Sequence, residues 1–245
     1  MLIGKDLSVT CASFTEIGGR SINEDSIFMT EIDNKFCFVA ADGLGGHGHG
    51  EQASKILIDV FKQEFENYSG CDFLARAFEK SQEKVLEFQK TKNQARTTAV
   101  VLVISGSKCY WGHIGDSRLY RFRKQRIITR TLDHSVSQIL AITGDIKESE
   151  IATHSSRSRL LRAVGDNWTD KPYELSKKTN IKKDDYFLLC TDGLWEILPE
   201  KALIPRKDIS VYDWIKFILD ETKILIQTIG DADNFSAIGI KIEGR

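Results

Sequence analysis

The chain has 245 residues, with 34 lysines and arginines against 35 aspartates and glutamates, so its formal net charge is −1. This length is ample for a hydrophobic core that is stable without disulfides. The balanced charge excludes a chain-wide basic surface of the kind that binds nucleic acid or anionic membranes, and the 41% apolar and 28% charged residues are typical of a globular protein. We therefore expect neither a nucleic-acid nor a membrane partner.

Eight short apolar or alternating segments predict β-strands. In chain order they are Val9–Phe14, Ile27–Ile32, Phe36–Ala41, Thr98–Ile104, Cys109–Ile114, Arg118–Phe122, Tyr186–Cys190 and Phe235–Ile242. The last segment places Ile238, Ile240 and Ile242 on one face. The turn at residues 105–108 joins two of these segments and predicts a hairpin.

Three longer segments have the apolar spacing of helices that bury one face: Glu51–Tyr68, Phe73–Phe88 and Val211–Ile229. Strands outnumber helices and do not alternate with them, which argues against a doubly wound parallel sheet. Two antiparallel sheets packed together, with helix pairs on the outer faces, would bury these stripes best. No linker or repeat divides the sequence, so we predict a single domain over residues 1–245.

The cysteines indicate a reducing compartment. There are five, an odd number, and no pair has the C-x-x-C spacing, which argues against a disulfide framework and a structural zinc site. The first residues lack a basic segment followed by an apolar one, so no signal peptide is apparent. We expect a cytoplasmic monomer.

Five aspartates flank predicted strands, and three of them are next to glycine. They are Asp25, Asp42, Asp116, Asp192 and Asp233. Carboxylates that converge at one rim of a sheet repel one another unless a cation lies between them, and an oxygen-only donor set selects Mg²⁺ or Mn²⁺ rather than zinc. Asp-Gly and Asp-Asn are also common turns at strand ends, so the pattern alone leaves both interpretations open.

Seven motifs resemble, in their residues and in their order along the chain, those of the metal-dependent protein phosphatase family, that is, protein phosphatase 2C of the bacterial type. The motifs are Arg20–Asp25, Asp42–His47, Thr97-Thr98, Gly115–Arg118, Asp133–Ser135, Thr191–Leu194 and Asp233-Asn234. The resemblance implies an α+β fold, a four-layer α-β-β-α sandwich, which agrees with the layering above. It also implies hydrolysis of phosphoserine and phosphothreonine in proteins by a metal-bridged hydroxide, in opposition to a protein kinase.

The resemblance also implies a site for two or three Mg²⁺ or Mn²⁺ ions. By position, Asp42 corresponds to the ligand that bridges two ions, and Gly43 gives its carbonyl to the second ion. Asp192 and Asp233 correspond to the other carboxylates on the first ion. Asp116, with Asp192, corresponds to a third and weaker site.

Four further residues take roles from the same resemblance. Arg20 is similar to the arginine that holds the substrate phosphate, and His47 to the histidine proposed as general acid. Glu24 and Asp25 resemble outer-shell residues that hold metal-bound waters. Two rival functions remain: a catalytically silent module that binds phosphoproteins, and a metal-dependent phosphodiesterase or small-molecule phosphatase.

Some features depart from the family pattern or leave their role open. Arg96 and Trp195-Glu196 stand where smaller residues are frequent. Residues 136–167 resemble the flap segment of bacterial members. Its arginines, Arg157, Arg159 and Arg162, are interpreted as solvated, with contact to a phosphopeptide as the alternative. A basic cluster in a predicted hairpin, Lys124, Arg126 and Arg130, is interpreted as surface charge, with substrate docking as the alternative.

Overall fold

Two antiparallel sheets form the middle of the fold in the computed structural model, which describes residues 7–45, 49–67, 72–91 and 94–244. The strands of the first sheet are β1 (Leu7–Glu16), β7 (Arg118–Arg123), β8 (Arg126–Arg130), β11 (Tyr186–Cys190) and β12 (Phe235–Gly244). They are hydrogen-bonded in the order β1-β12-β11-β7-β8.

The second sheet is built around a hairpin. Its strands are β2 (Asp25–Ile32), β3 (Lys35–Leu44), β4 (Arg96–Thr97), β5 (Ala99–Ser105), β6 (Lys108–Ile114), β9 (Glu174–Leu175) and β10 (Thr179–Asn180). The main order is β10-β6-β5-β3-β2, with β4 paired to β3 and β9 paired to β6. The predicted hairpin is confirmed, since Ser105 pairs with Lys108 and Gly106 has a φ of 57°.

Alternating side chains explain why the central strands are apolar almost throughout. In β3, Phe38 and Ala40 face the first sheet, whereas Cys37, Val39 and Ala41 face the helices on the other side. A strand buried on both faces is a continuous apolar run rather than an alternating one. The predicted isoleucine face of β12 lies in the core between the two sheets.

Helices cover both outer faces. The helices are α1 (His49–Glu66), α2 (Phe73–Gln89), α3 (Val136–Thr143), a 3₁₀ helix (Glu148–Thr153), α4 (Asp192–Trp195), α5 (Glu200–Leu203) and α6 (Val211–Ile229). The pair α1 and α2 packs on the second sheet, and α6, joined by the short α4 and α5, packs on the first. The predicted fold class, an α-β-β-α sandwich, is therefore confirmed.

The predicted flap segment, residues 136–167, contains the two short helices expected there. Ser135 accepts the Gln138 N–H at the start of α3, and Gly144 ends the helix with a φ of 84°. The 3₁₀ helix follows, with Ile151 buried against the α6 side of the fold. Within the described residues, no helix combines the length and the apolar character needed to cross a membrane.

Candidate active site

Three of the predicted metal ligands meet at one rim of the sandwich. Asp42 lies near the end of β3, Asp116 lies in the turn between β6 and β7, and Asp192 begins α4, two residues after the end of β11. Each offers a carboxylate oxygen, and these oxygens all lie within 4.8 Å of one another. The structure therefore brings together carboxylates from both sheets that are up to 150 positions apart in the sequence.

Hydroxyl groups fix this rim. The Asp42 N–H donates to the Thr98 hydroxyl at 3.1 Å, and the Thr98 and Ser117 hydroxyls share a hydrogen bond of 2.6 Å. The chain reaches Asp116 through Gly115, which has a φ of 92° and whose added Cβ would lie 2.6 Å from the Thr98 side chain. Only glycine fits this turn, because it must take a left-handed conformation in close contact with Thr98, just before β5.

The electrostatics of the rim favour a cation. Desolvation, then repulsion from neighbouring carboxylates, raises the pKa of Asp42 and of Asp192 well above the ordinary value. Desolvation and the charge of Asp133 raise the pKa of Asp116 to about 8, and its buried Oδ1 atom has no hydrogen-bond partner. An oxygen-only donor set with a buried unpartnered oxygen fits a hard divalent ion such as Mg²⁺ or Mn²⁺.

Asp25 supports the rim from β2, where it lies directly opposite Asp42 in the strand register. Its Oδ2 atom accepts the Thr191 hydroxyl at 2.8 Å, whereas its buried Oδ1 atom has no partner. Burial, above all, raises its pKa to about 7, and the charges of Asp233 and Glu24 add to this effect. Asp25 therefore lies beside the three-carboxylate cluster, and its role in holding metal-bound waters stays a prediction.

Glu24 and Gly43 are joined to the start of α1. The Glu24 carboxylate accepts the Gly50 N–H at 3.1 Å, and its backbone carbonyl accepts the Gly43 N–H at the same distance. A Cβ on Gly43 would lie 2.2 Å from the Gly50 carbonyl oxygen, so no side chain fits there. Glu24 thus joins the end of β3 to the start of α1, a contact that was not predicted from the sequence.

Arg20 and Asp233, predicted as phosphate-binding residue and metal ligand, form an ion pair with each other. The guanidinium donates from Nε to Oδ1 at 3.0 Å and from Nη2 to Oδ2 at 2.8 Å. Their side chains are 54% and 44% exposed, respectively. Asp233 does not belong to the group of three carboxylates within 4.8 Å of one another.

Asn234 is a positioning residue to which sequence analysis assigned no role. Its buried side chain donates to the Ile17 and Ile22 carbonyls at 2.7 and 3.0 Å and accepts the Glu24 N–H at 2.8 Å. These three bonds hold the loop that carries Arg20 and Glu24. The only sequence signal is its place next to Asp233, because its partners are more than 200 positions away.

Trp195 explains one departure from the family pattern. Its Nε1 donates to the Asp116 carbonyl at 3.0 Å, and the Arg118 guanidinium lies 3.5 Å from the centre of its ring. Arg118 is itself buried in a bidentate pair with Asp133, at 2.6 and 2.8 Å. The large side chain at position 195 therefore holds the Asp116 turn in place.

A cavity of about 330 Å³ opens beside the carboxylate cluster, between the rim and the flap segment. Its lining includes Arg20 and Asp233 on one side and Arg157 and Glu196 on the other. Arg157, in the flap segment, pairs with Glu196 at 2.9 Å. The interpretation of Arg157 as a solvated arginine is therefore incomplete, because its guanidinium is paired with a carboxylate. His47 lies outside the described residues, and its role stays a prediction.

A second group of potential ligands, His113, His134 and Glu174, lies on the other side of Gly115. Nε2 of His113 donates to the Leu132 carbonyl at 2.9 Å, and Nδ1 of His134 accepts the Gly115 N–H at 3.2 Å. Neutral His134 therefore carries its proton on Nε2 and offers no lone pair to an ion at that atom. Burial lowers the pKa of both rings, that of His134 to about 4, so the pair is neutral and structural.

The whole arrangement matches known proteins. Residues 16–226 match the family model described as protein phosphatase 2C. The serine/threonine protein phosphatase PstP of Mycobacterium tuberculosis is 28% identical over 230 residues, which cover 87% of this chain but only 43% of that protein. The chain thus spans less than half the length of that relative.

Solved structures show the same fold. The serine/threonine phosphatase Stp1 from Staphylococcus aureus is 26% identical, with a TM-score of 0.83 over 100% of this chain and 98% of that one. The catalytic domain of PstP in complex with two manganese ions is 24% identical, with a TM-score of 0.78 over 97% and 99% of the two chains. With the matched family model and this fold, the chain belongs to the protein phosphatase 2C family.

Proposed function

We propose that this chain is a divalent-metal-dependent phosphatase that hydrolyses phosphoserine and phosphothreonine in proteins. The observation that carries the proposal is the cluster of Asp42, Asp116 and Asp192, whose oxygens lie within 4.8 Å of one another at a rim shared by both sheets. Three carboxylates so close together are stable as anions only with a cation between them.

Oxygen atoms of several rim residues would bind the ions. Asp42 and Asp192, with the carbonyl of Gly43 and the carboxylate of Asp233, would hold two Mg²⁺ or Mn²⁺ ions, and Asp116 would share a third with Asp192. Divalent ions held there supply Lewis acidity, which lowers the pKa of an attacking water and stabilises charge on the phosphoryl oxygens.

Other residues act on the substrate and on the positions of the ligands. Arg20 would orient the phosphate, and its fork already holds the two oxygens of Asp233 in the geometry that suits a phosphate. Glu24 and Asp25 would hold waters around the ions. His47 would donate a proton to the departing serine or threonine oxygen, for which an imidazole is suited near neutral pH.

The test is hydrolysis by the purified chain of three substrates: p-nitrophenyl phosphate, bis-p-nitrophenyl phosphate and a phosphothreonine peptide. We expect hydrolysis of both monoesters, loss of activity on chelation and recovery with Mn²⁺ or Mg²⁺, because the ligand atoms are all oxygens. Preference for the diester would favour a phosphodiesterase. Peptide binding without hydrolysis at any metal concentration would favour a silent regulatory module.

Comparing the two ions at matched concentrations will show which one supports more activity. An opposing protein kinase, a monomeric state, a cytoplasmic location and a single catalytic domain over residues 1–245 belong to the same proposal. Gel filtration of the purified chain tests the monomeric state, and an elution volume of a dimer would contradict it.

A further inference from the structure

A second and larger cavity, of about 770 Å³, lies at the other end of the first sheet. Three segments form its walls: the turn between β7 and β8, the residues just before β11, and residues 205–208. Basic side chains predominate in its lining: Arg123, Lys124, Arg126, Lys182, Lys183, Arg206 and Lys207, against the acidic Asp184 and Asp208. We call this cavity the basic pocket.

The basic pocket faces away from the carboxylate cluster. Strand β7 starts two residues after Asp116 and ends at Arg123 in the pocket. Strand β11 starts at Tyr186 in the pocket and ends two residues before Asp192. Since a five-residue strand is about 15 Å long, the pocket is separated from the cluster by about one strand length.

The positive charge of the pocket is largely uncompensated. Arg123 is bound by the buried Asp185, with hydrogen bonds of 2.5 and 2.7 Å. No ion pair between described residues includes any of the other six basic side chains, which are all exposed. Like charges around one concavity raise the local potential, which an anionic partner would lower.

Buried contacts hold the three walls in fixed relation to one another. Asp185 binds Arg123 of the first wall and also accepts the Lys182 N–H of the second wall at 3.0 Å. Tyr186 donates its hydroxyl to the Ile209 carbonyl at 2.6 Å, which secures the third wall. A partner would therefore meet a preformed pocket rather than three separate loops.

The chemistry of the lining favours an acidic peptide over a nucleotide. Its aromatic residues, Phe122 and Tyr186, are buried, so neither presents a free ring face on which a base could stack. Its cations come from three separate segments, which suits charges spaced along an extended chain. The exposed Ile128 adds an apolar contact that a peptide can use.

We propose that the basic pocket binds an acidic segment of the phosphoprotein substrate, at a distance from the residue that is dephosphorylated. This inference rests on the proposed phosphatase function and adds a substrate class to it. About six or more extended residues would separate the acidic segment from the phosphorylated residue.

The test compares two phosphothreonine peptides that differ only in their tails. One peptide has a tail of six glutamates eight residues to each side of the phosphothreonine, and the other has six glutamines at the same places. The variant carries Lys124→Gln, Lys182→Gln and Lys207→Gln together. We expect it to raise KM for the glutamate-tailed peptide about tenfold and to leave kcat unchanged. Hydrolysis of the glutamine-tailed peptide and of p-nitrophenyl phosphate should not change.

A matched control carries Lys62→Gln, Lys90→Gln and Lys108→Gln, three exposed lysines outside the pocket. Equal loss in both triple variants would overturn the proposal, because it would reflect overall charge. Equal KM values of the wild-type chain for the two peptides would also overturn it.

A binding measurement separates this proposal from the phosphatase function. Fluorescence polarisation of a labelled, unphosphorylated glutamate-tailed peptide requires no turnover. We expect binding that weakens with salt and with the pocket variant but not with the control variant. If the chain hydrolyses nothing, the phosphatase function fails while this measurement still tests the pocket. Displacement of the peptide by adenosine triphosphate at a lower concentration than by free glutamate peptide would overturn the choice of partner.

Discussion

Asp42, Asp116 and Asp192 lie close enough to repel one another, and no ion pair between described residues gives any of them a basic partner. Asp42 belongs to β3 and Asp192 follows the end of β11 by two residues, so the core fixes the backbone positions of both. Residues that lower the stability of the metal-free protein in this way are typical of ligand-binding sites.

Replacing Asp42 or Asp192 by asparagine tests this directly. We expect turnover of p-nitrophenyl phosphate with Mn²⁺ to fall roughly a thousandfold or more, because each change removes a ligand of the ions. In chelator, the same variants should be more stable by about 1–3 kcal/mol, because repulsion is relieved. Thermal and urea unfolding measure the second effect.

Asp59→Asn is the matched control, since Asp59 is exposed on α1. It should change neither turnover nor unfolding. Full activity of the Asp42→Asn protein would show that the metal ligands are misassigned.

Arg20 offers a test of geometry against charge. Arg20→Ala should raise KM for a phosphopeptide and for p-nitrophenyl phosphate, with a loss in kcat/KM of about ten- to a hundredfold. Arg20→Lys should recover only part of this, because lysine lacks the planar fork. Stability should change by less than about 1 kcal/mol, because the pair with Asp233 is exposed. Wild-type kinetics of Arg20→Ala on both substrates would mean that the residue does not bind phosphate.

Substitution of Asp116 tests the proposed third ion independently of the other two. Asp116→Asn should leave two ions bound, because Asp42, Asp192 and Asp233 remain, whereas phosphopeptide hydrolysis should fall about ten- to a hundredfold. Calorimetric titration with Mn²⁺ counts the ions. The same number of ions and the same turnover as the wild-type chain would refute the assignment.

Among the secondary-structure elements, those in the middle of the flap segment, residues 148–160, have few buried contacts. The ends of the segment, residues 137–138 and 163–165, are buried and hydrogen-bonded to the core. The middle is held mainly by the buried Ile151 and by the ion pairs of Glu148 with Arg130 and of Arg157 with Glu196. A segment with few buried contacts opens at a lower free energy than the sheets do.

Removing the Arg157 charge should therefore loosen this segment alone. Arg157→Gln is expected to speed amide hydrogen exchange in residues 148–160 and to leave exchange in β3 and β12 unchanged. Overall stability should change by less than about 1 kcal/mol, because the pair is partly exposed. Arg159→Gln, at an exposed arginine without an ion pair among the described residues, should have no such effect. Identical exchange in both variants would show that the ion pair does not restrain the flap segment.

At the scale of the whole molecule, the carboxylates link stability to pH and to metal. Raised pKa values, about 7 for Asp25 and about 8 for Asp116, mean that the folded protein binds more protons than the unfolded one near neutral pH. Their contribution is fully present below the unfolded pKa of about 4 and is lost as pH rises through 7 and 8.

The metal-free protein should thus lose thermal stability between pH 6.5 and 9. Saturating Mn²⁺ or Mg²⁺ should raise Tm and flatten this slope, because the ions neutralise the carboxylates. The measurement is thermal unfolding across this range, with and without metal. His113 and His134 are neutral when folded and have an ordinary pKa near 6.5 when unfolded, so they oppose this slope only below about pH 7.5 and contribute nothing to it above. A metal-free Tm that rises with pH would contradict the assigned cause.

The layering of the fold could be predicted from local patterns in the sequence. All eight predicted strands and three predicted helices are present, with ends shifted by a few residues, because hydrophobic periodicity is a local property of the chain. Short strands such as β9 and β10 were not predicted, because two residues are too few to show the alternation of apolar and polar side chains. The motifs also include Asp42, Asp116 and Asp192, which the structure brings together at one rim.

Which of these residues touch depends on the tertiary structure. Asn234, the anchoring of α1 by Glu24 and the pairing of Arg20 with Asp233 depend on contacts between segments that are distant in the sequence. The basic pocket likewise assembles from three segments, and only the one with Lys124 and Arg126 was noted as basic in the sequence. Such contacts depend on how the two sheets stack and on where their strands end. No local pattern of residues determines either of these.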